Sequence, residues 1–164
     1  MTFVVRPAEI PDVERLAQLH VSTWQETYSH LLPAGFFDDA HTAMRRRMWT
    51  RILSDPRGDW TIRIAEVDGR AVGFAMSGPS VATGEQRPPR ELQLFSLYVC
   101  ASEHGTGIGQ ALLDETLGVD PAVLWVARQN SRAVAFYRRN GFEFDGTEKI
   151  DPTAPMITDA RMIR

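Results

Sequence analysis

One stretch constrains this chain more than any other: ELQLFSLYVC, residues 91–100, running into ASEHGTGIGQALL, residues 101–113. Glu91 to Cys100 reads as the strongest strand of the sequence. Three glycines then alternate with Thr106 and Ile108, and an apolar run with helical spacing follows from Ile108 to Leu117. A strand that feeds a glycine-rich turn and then a helix leaves several backbone N–H groups unpaired, with the positive end of the helix dipole behind them. Glycines let an anion reach that backbone without meeting a Cβ. The expected guest is therefore a phosphate or pyrophosphate. A Walker A loop does not fit, because Gly109 is followed by Gln110 where a lysine is needed. The dinucleotide fingerprint does not fit either, because the spacing is G-x-G-x-G and lies late in the chain.

The remaining elements follow from punctuation and periodicity. Phe3 to Arg6 is an opening strand, ended by Pro7. Pro11 to Tyr28 carries apolar residues at helical spacing, and a second helix is expected over Asp38 to Leu53. Trp60 to Glu66 and Ala71 to Ser77 form a hairpin about Asp68-Gly69. Residues 78–90 are rich in Gly and Pro and read as a loop. Ala122 to Ala127 is a short apolar strand. Asn130 is placed to cap a helix that runs to Asn140, with Gly141 ending it in the left-handed conformation. Phe142 to Phe144 starts another strand, and Ile157 to Ile163 closes the chain. The order β-α-α-β-β-β-α-β-α-β-β predicts one mixed α/β domain over residues 1–164.

Composition narrows the function. A net charge of −3 and a pI near 5.8 argue against a nucleic-acid partner. No apolar run approaches a membrane-spanning length, and MTFVVRPAEI lacks the regions of a signal peptide. With Cys100 as its one cysteine, the chain is expected in the cytoplasm. His20, His30, His41 and His104 show no metal-ligand spacing, so no metal is expected. No G-x-S-x-G elbow is present, and Cys100 reads as a small buried residue after a strand.

Two motifs together resemble the GCN5-related N-acetyltransferase (GNAT) superfamily. Its glycine loop, Arg/Gln-x-x-Gly-x-Gly/Ala, aligns with His104, Gly105, Thr106, Gly107, Ile108 and Gly109, with His104 replacing the usual Arg or Gln. Its downstream pattern Asn-x-x-Ala-x-x-Phe-Tyr-x-x-x-Gly-Phe is met at Asn130, Ala133, Phe136, Tyr137, Gly141 and Phe142. The resemblance implies a mixed, mostly antiparallel sheet of about seven strands flanked by about four helices. It implies acetyl-CoA as co-substrate and direct transfer of an acetyl group to a primary amine on a small molecule or a peptide terminus.

The resemblance also implies roles. Leu97, Tyr98 and Val99 lie on a strand that splays from its neighbour and pairs with the pantetheine amides. Gly105 to Gln110 hold the pyrophosphate, Asn130 and Tyr137 approach the thioester, and Phe136 flanks the pantetheine arm. Arg138 or Arg139 is a candidate for the 3′-phosphate. Tyr137 is the candidate acid: the leaving thiolate has a thiol pKa of about 8.5 against about 10 for a phenol. An amine with a pKa of about 10.4 must lose a proton before attack. Glu91 is the first candidate base, although Gln93 is better aligned with the family's acidic position, and Glu26 is an alternative. Trp24, Glu26 and Tyr28 fall in the region that forms the acceptor pocket in relatives. Relatives often form homodimers, sometimes through their last strands, and Ile157 to Ile163 is the segment that would serve. A non-catalytic acyl-CoA sensor with the same fold is the other reading, against which Tyr137 argues. A longer acyl donor is left open.

Overall fold

The computed structural model describes residues 2–164. Strand β1 (Phe3–Pro7) leads through a 3₁₀ turn (Ile10–Asp12) into helix α1 (Val13–Tyr28), and α2 (Asp39–Leu53) follows. The expected start of α1 near Pro11 is displaced because Asp12 is claimed by other partners. Its carboxylate accepts from the Glu9 N–H at 2.9 Å and receives both nitrogens of the Arg6 guanidinium at 2.8 Å. Strands β2 (Thr61–Val67) and β3 (Arg70–Pro79) form the predicted hairpin. Asp68 and Gly69 have φ of 51° and 76°, the left-handed pair that a tight primed turn requires.

The chain continues through β4 (Leu92–Val99), α3 (Ile108–Thr116), β5 (Ala122–Ala127), α4 (Ser131–Arg139), β6 (Glu143–Ile150) and β7 (Thr158–Ile163). The seven strands make one sheet in the order β1-β2-β3-β4-β5-β7-β6. Every neighbouring pair is antiparallel except β4 and β5. This is the mixed, mostly antiparallel seven-stranded sheet with four helices that the resemblance implied. Strand β7 is paired on both sides, so the segment expected to meet a second copy offers no free backbone edge; the outer strand is β6.

Helices cover both faces. Leu16, Leu19 and Trp49 from α1 and α2 pack on Ile62, Ile64, Phe74 and Met76. On the other face Ile108 and Leu112 of α3 cover Ala65, Val67, Val72 and Ala75. Leu113 of α3 and Val134 and Tyr137 of α4 cover Leu94, Leu124, Val126 and Met162. Helix α4 is ended as predicted, with Gly141 at φ 86°. No helix among the described residues is long and apolar enough to cross a membrane.

Candidate active site

The site begins with a fault in the sheet. Strand β4 pairs with β5 only over Leu92, Leu94 and the residue between them, opposite Ala122 to Leu124. Beyond Leu94 the two strands part. At the same place the β3–β4 register slips: Met76 faces Ser96 while Ser77 faces Leu94, leaving Phe95 as an extra residue. One inserted residue reverses the alternation of side chains beyond it. Leu94 and Leu97 accordingly point to the α3/α4 face although they are three apart, while Phe95 and Tyr98 point to the α1/α2 face. The Cys100 N–H bonds the Val72 carbonyl of β3 at 2.8 Å. By alternation, Leu97 and Val99 turn their backbone groups away from β3 and into the gap.

That gap opens into a cleft of about 430 Å³. Leu97, Tyr98 and Val99 form one wall, Gly105, Gly107 and Gly109 the end, and Ala133, Phe136 and Tyr137 of α4 the other wall. Gly105 and Gly107 sit at φ 83° and 91°, a region closed to most side chains. Gly107 is the N-cap of α3 and supplies no side-chain cap. The first N–H of the helix to find an intrahelical acceptor is that of Ala111, bonded to the Gly107 carbonyl at 3.0 Å. The N–H groups from Ile108 to Gln110 therefore face the cleft end with the helix dipole behind them. Thr106 donates its hydroxyl to the Glu103 carbonyl at 2.7 Å, and Ile108 is fully buried, so these two residues shape the turn. The Gln110 side chain is held by Asp114 and Asn140, each at 2.9 Å, which leaves its backbone as its contribution.

His104 occupies a specific place. Its Nε2 lies 3.0 Å from the Val99 carbonyl, one of the groups turned into the gap. The two candidate arginines separate. Arg139 lines the cleft, whereas Arg138 leans toward Glu143 at 3.8 Å and over the Phe144 ring. Arg132, two helical turns before Arg139, lines the cleft as well. Exposed helix arginines look alike in a sequence, so spacing alone did not single out Arg132.

A second cavity of about 90 Å³ adjoins the cleft and shares Leu97, Tyr98, Asn130, Ala133 and Tyr137 with it. Tyr137 stands at this seam. Burial first, and then the Tyr98 and Tyr28 phenols, push its hydroxyl well above the usual phenol value, so it is protonated at neutral pH. Asn130 does what its sequence position promised: its Oδ1 accepts from the Ala133 N–H at 3.1 Å and caps α4. Its Nδ2 donates to the Tyr28 hydroxyl at 3.1 Å, tying α1 to α4 beneath the seam. Trp24 and Tyr28 line the small cavity from the α1 side, with ring centroids 5.0 Å apart.

The two proposed bases are elsewhere. Glu91 is exposed, lies outside β4 and lines neither cavity. Six residues separate it from Leu97, a span of about 20 Å along an extended chain. Glu26 accepts from the Ala101 N–H at 2.9 Å and also lines neither cavity. The carboxylate that does line the small cavity is Asp159 of β7, which sequence reading passed over. Burial raises its carboxyl above the usual carboxylate range, against a lowering by Lys149. A weak signal existed: in TDARMI, Asp159 and Arg161 fall on one face by alternation. Arg161 is spent on Asp145 at 2.6 Å, which leaves Asp159 unmatched.

Known proteins share this fold and family. Residues 15–142 match the acetyltransferase (GNAT) family. The chain is 30% identical over 148 residues to a probable N-acetyltransferase of Mycobacterium tuberculosis, covering 87% of this chain and 80% of that protein. It is 28% identical to an L-amino acid N-acetyltransferase of Escherichia coli, covering 89% and 86% of the two chains. Among solved structures it is similar to the PaiA N-acetyltransferase of Thermoplasma acidophilum in complex with coenzyme A, with a TM-score of 0.71 at 22% identity over 100% of this chain and 99% of that one.

Proposed function

The chain belongs to the acetyltransferase (GNAT) family, and from that premise we propose that it moves an acetyl group from acetyl-CoA directly to a primary amine on a small molecule or peptide. The observation that carries this reading is the seam at Tyr137, where a long polar-ended cleft meets a small aromatic cavity. Acetyl-CoA supplies the acetyl group as a thioester when bound in the cleft.

The chain's residues divide the work. Backbone N–H groups at Gly107 to Gln110 bind the pyrophosphate, and Arg132 and Arg139 add positive charge along the same cleft. Leu97 and the Val99 N–H offer free backbone groups to the pantetheine amides, as an added strand would use them. His104 fixes the Val99 carbonyl, standing in for the Arg or Gln of the family pattern. Phe136 packs beside Gly109, whose missing Cβ would have met its ring at 3.8 Å. Tyr137 gives its proton to the departing sulfur. Its raised phenol matches its task, because the same desolvation raises the thiol that forms beside it.

Cys100 does not line either cavity, and burial pushes its thiol up, away from a nucleophile's range. The reading is therefore direct attack by the amine, with no acetyl-cysteine. The free hydroxyl of Tyr137 favours a transferase over a sensor that only stores acyl-CoA.

Release of free thiol from acetyl-CoA in the presence of a panel of primary amines tests the proposal. Tyr137→Phe should lower turnover by about 10²–10⁴ while leaving acetyl-CoA affinity unchanged. Equal turnover in that variant would remove Tyr137 as the acid. No thiol release with any amine would leave the sensor reading in place.

A further inference from the structure

The geometry points to Asp159 as the group that receives the proton of the acceptor, an alkyl ammonium held in the small aromatic cavity. This rests on the acetyl-transfer reading above and extends it to the acceptor's chemical class.

Four features of the cavity carry the inference. Four aromatic rings stand in its walls, Trp24 and Tyr28 from α1, Tyr98 from β4 and Trp125 from β5, beside the polar groups of Ser96, Asn130 and Asp159. Such rings attract a cation over their faces. The protein already demonstrates this at one of them: the Lys149 ammonium lies 4.0 Å from the centre of the Trp125 ring. Lys149 is the cross-strand neighbour of Asp159, yet it forms no ion pair with it among the described residues. The one carboxylate of the lining is thus left without a hydrogen-bonded partner in a place that welcomes positive charge.

Size then sets the position of the guest. At about 90 Å³ the cavity is much smaller than the adjoining cleft of about 430 Å³. An amine with a short alkyl arm fits it, and Asp159 and Tyr137 both line the space it would take. The two groups approach from opposite faces of the sheet. Tyr137 belongs to the α4 side, and Asp159 faces the α1 side with Ala127, its partner across β5. Donor and acceptor therefore enter from opposite faces and meet where β4 and β5 part.

The proton count closes. The acceptor enters as R–NH₃⁺ and gives one proton to the Asp159 carboxylate. The amine nitrogen bonds the acetyl carbon and the carbon–sulfur bond breaks. Tyr137 protonates the sulfur, and the second proton leaving nitrogen restores the phenol. Asp159 then releases its proton to solvent. The first transfer is uphill in water, where an alkyl ammonium has a pKa of about 10.4 and an aspartate about 3.9. Asp159 is half withdrawn from water beside aromatic rings, which raises its carboxyl and narrows that gap, and an ammonium brought against the same rings loses part of its hydration too. The other titratable groups facing Asp159 are Lys149 and Asp151 from the β6 side, Tyr28 from α1, Tyr98 from β4 and Tyr137 from α4. The phenols stay neutral, and Lys149 and Asp151 oppose each other. A carboxylate on the acceptor next to its nitrogen would be repelled by Asp159, so the class is an alkylamine with no acidic group near the amine.

n-Propylamine is the probe, with glycine as its acidic counterpart. Wild-type protein and Asp159→Asn are compared by steady-state acetylation from pH 6 to 10 and by calorimetric titration with acetyl-CoA. In the wild type, kcat/KM for propylamine should be flat between the carboxylate and amine pKa values. In the variant it should fall by about 10²–10⁴ and climb about tenfold per pH unit, since only free amine reacts. Acetyl-CoA affinity should be equal in the two, which also shows that the variant is folded. Asp159→Glu, which keeps the carboxylate, should recover the flat profile. Glycine should be turned over at least tenfold less than propylamine. An unchanged rate and profile in Asp159→Asn overturns the proposal. So does a rise in KM alone, which would make Asp159 an anchor. A wild type that binds acetyl-CoA but does not acetylate propylamine overturns it too and leaves the donor reading standing. Failure to bind acetyl-CoA instead overturns the reading on which the inference rests.

Discussion

Gly105 and Gly107 are glycines because of their torsions; Gly109 is one for another reason. It lies in the first turn of α3 without a left-handed φ, and a Cβ there would meet the Phe136 ring at 3.8 Å and Val99 at 4.0 Å, which are ordinary contacts. Nothing among the described residues excludes a side chain at this position. Both neighbours line the cleft, so the space belongs to the guest. Gly109→Val should change stability by no more than about 1 kcal/mol and weaken acetyl-CoA binding more than tenfold. Thermal unfolding and calorimetry on the same sample check the two halves; unchanged affinity would misplace the pyrophosphate cradle. Gly107→Val is a poorer test, because φ of 91° adds strain of about 1–3 kcal/mol whatever binds there. The same distinction shows what could be read beforehand. The alternation of three glycines pointed to an anion, while the separate reasons for each needed coordinates.

At the scale of elements, α1 and α2 are held on the sheet by a layer that includes His20. This imidazole is buried among Phe74, Trp49 and Tyr98, with centroids 5.3, 6.0 and 5.5 Å away, and its Nδ1 has no partner among the described residues. Burial first, and then the Arg45 and His41 charges, hold it well below the usual histidine value of 6.5. The folded state therefore keeps His20 neutral, while the unfolded chain takes up a proton once pH falls through 6.5. The melting temperature should drop between pH about 7.5 and about 5.5, and His20→Phe should reduce that dependence, leaving the part contributed by the His41 imidazole, which burial also holds below 6.5. An equal drop in the variant would locate the acid sensitivity elsewhere. The Arg6–Asp12 pair does not interfere, because Asp12 protonates only below 3.8 on its way to about 2. Local patterns made most elements legible: the Asp68-Gly69 turn, the Asn130 cap and the Gly141 stop all rest on neighbours in the chain. The extra residue at Phe95 was not legible, since one more apolar residue in ELQLFSLYVC leaves the pattern intact while reversing the faces of Leu97 and Tyr98. The insertion of β7 between β5 and β6 is a long-range pairing with no local mark. Asp159 was missed for the same reason, because it matters only once β7 lies beside β5.

In the molecule as a whole, one opening in the sheet organises everything around it. A mostly antiparallel sheet opens between the parallel pair β4 and β5, a glycine-rich helix start closes one end of the opening, and a phenol stands at the seam with an aromatic cavity. In a chain of net charge −3, that opening gathers helix-start N–H groups, Arg132 and Arg139. The most direct measurement is calorimetric titration of the purified protein with acetyl-CoA and, separately, with NADH. The account predicts one acetyl-CoA site of micromolar affinity and no heat with NADH. Absence of acetyl-CoA binding, or equal binding of NADH, would contradict it.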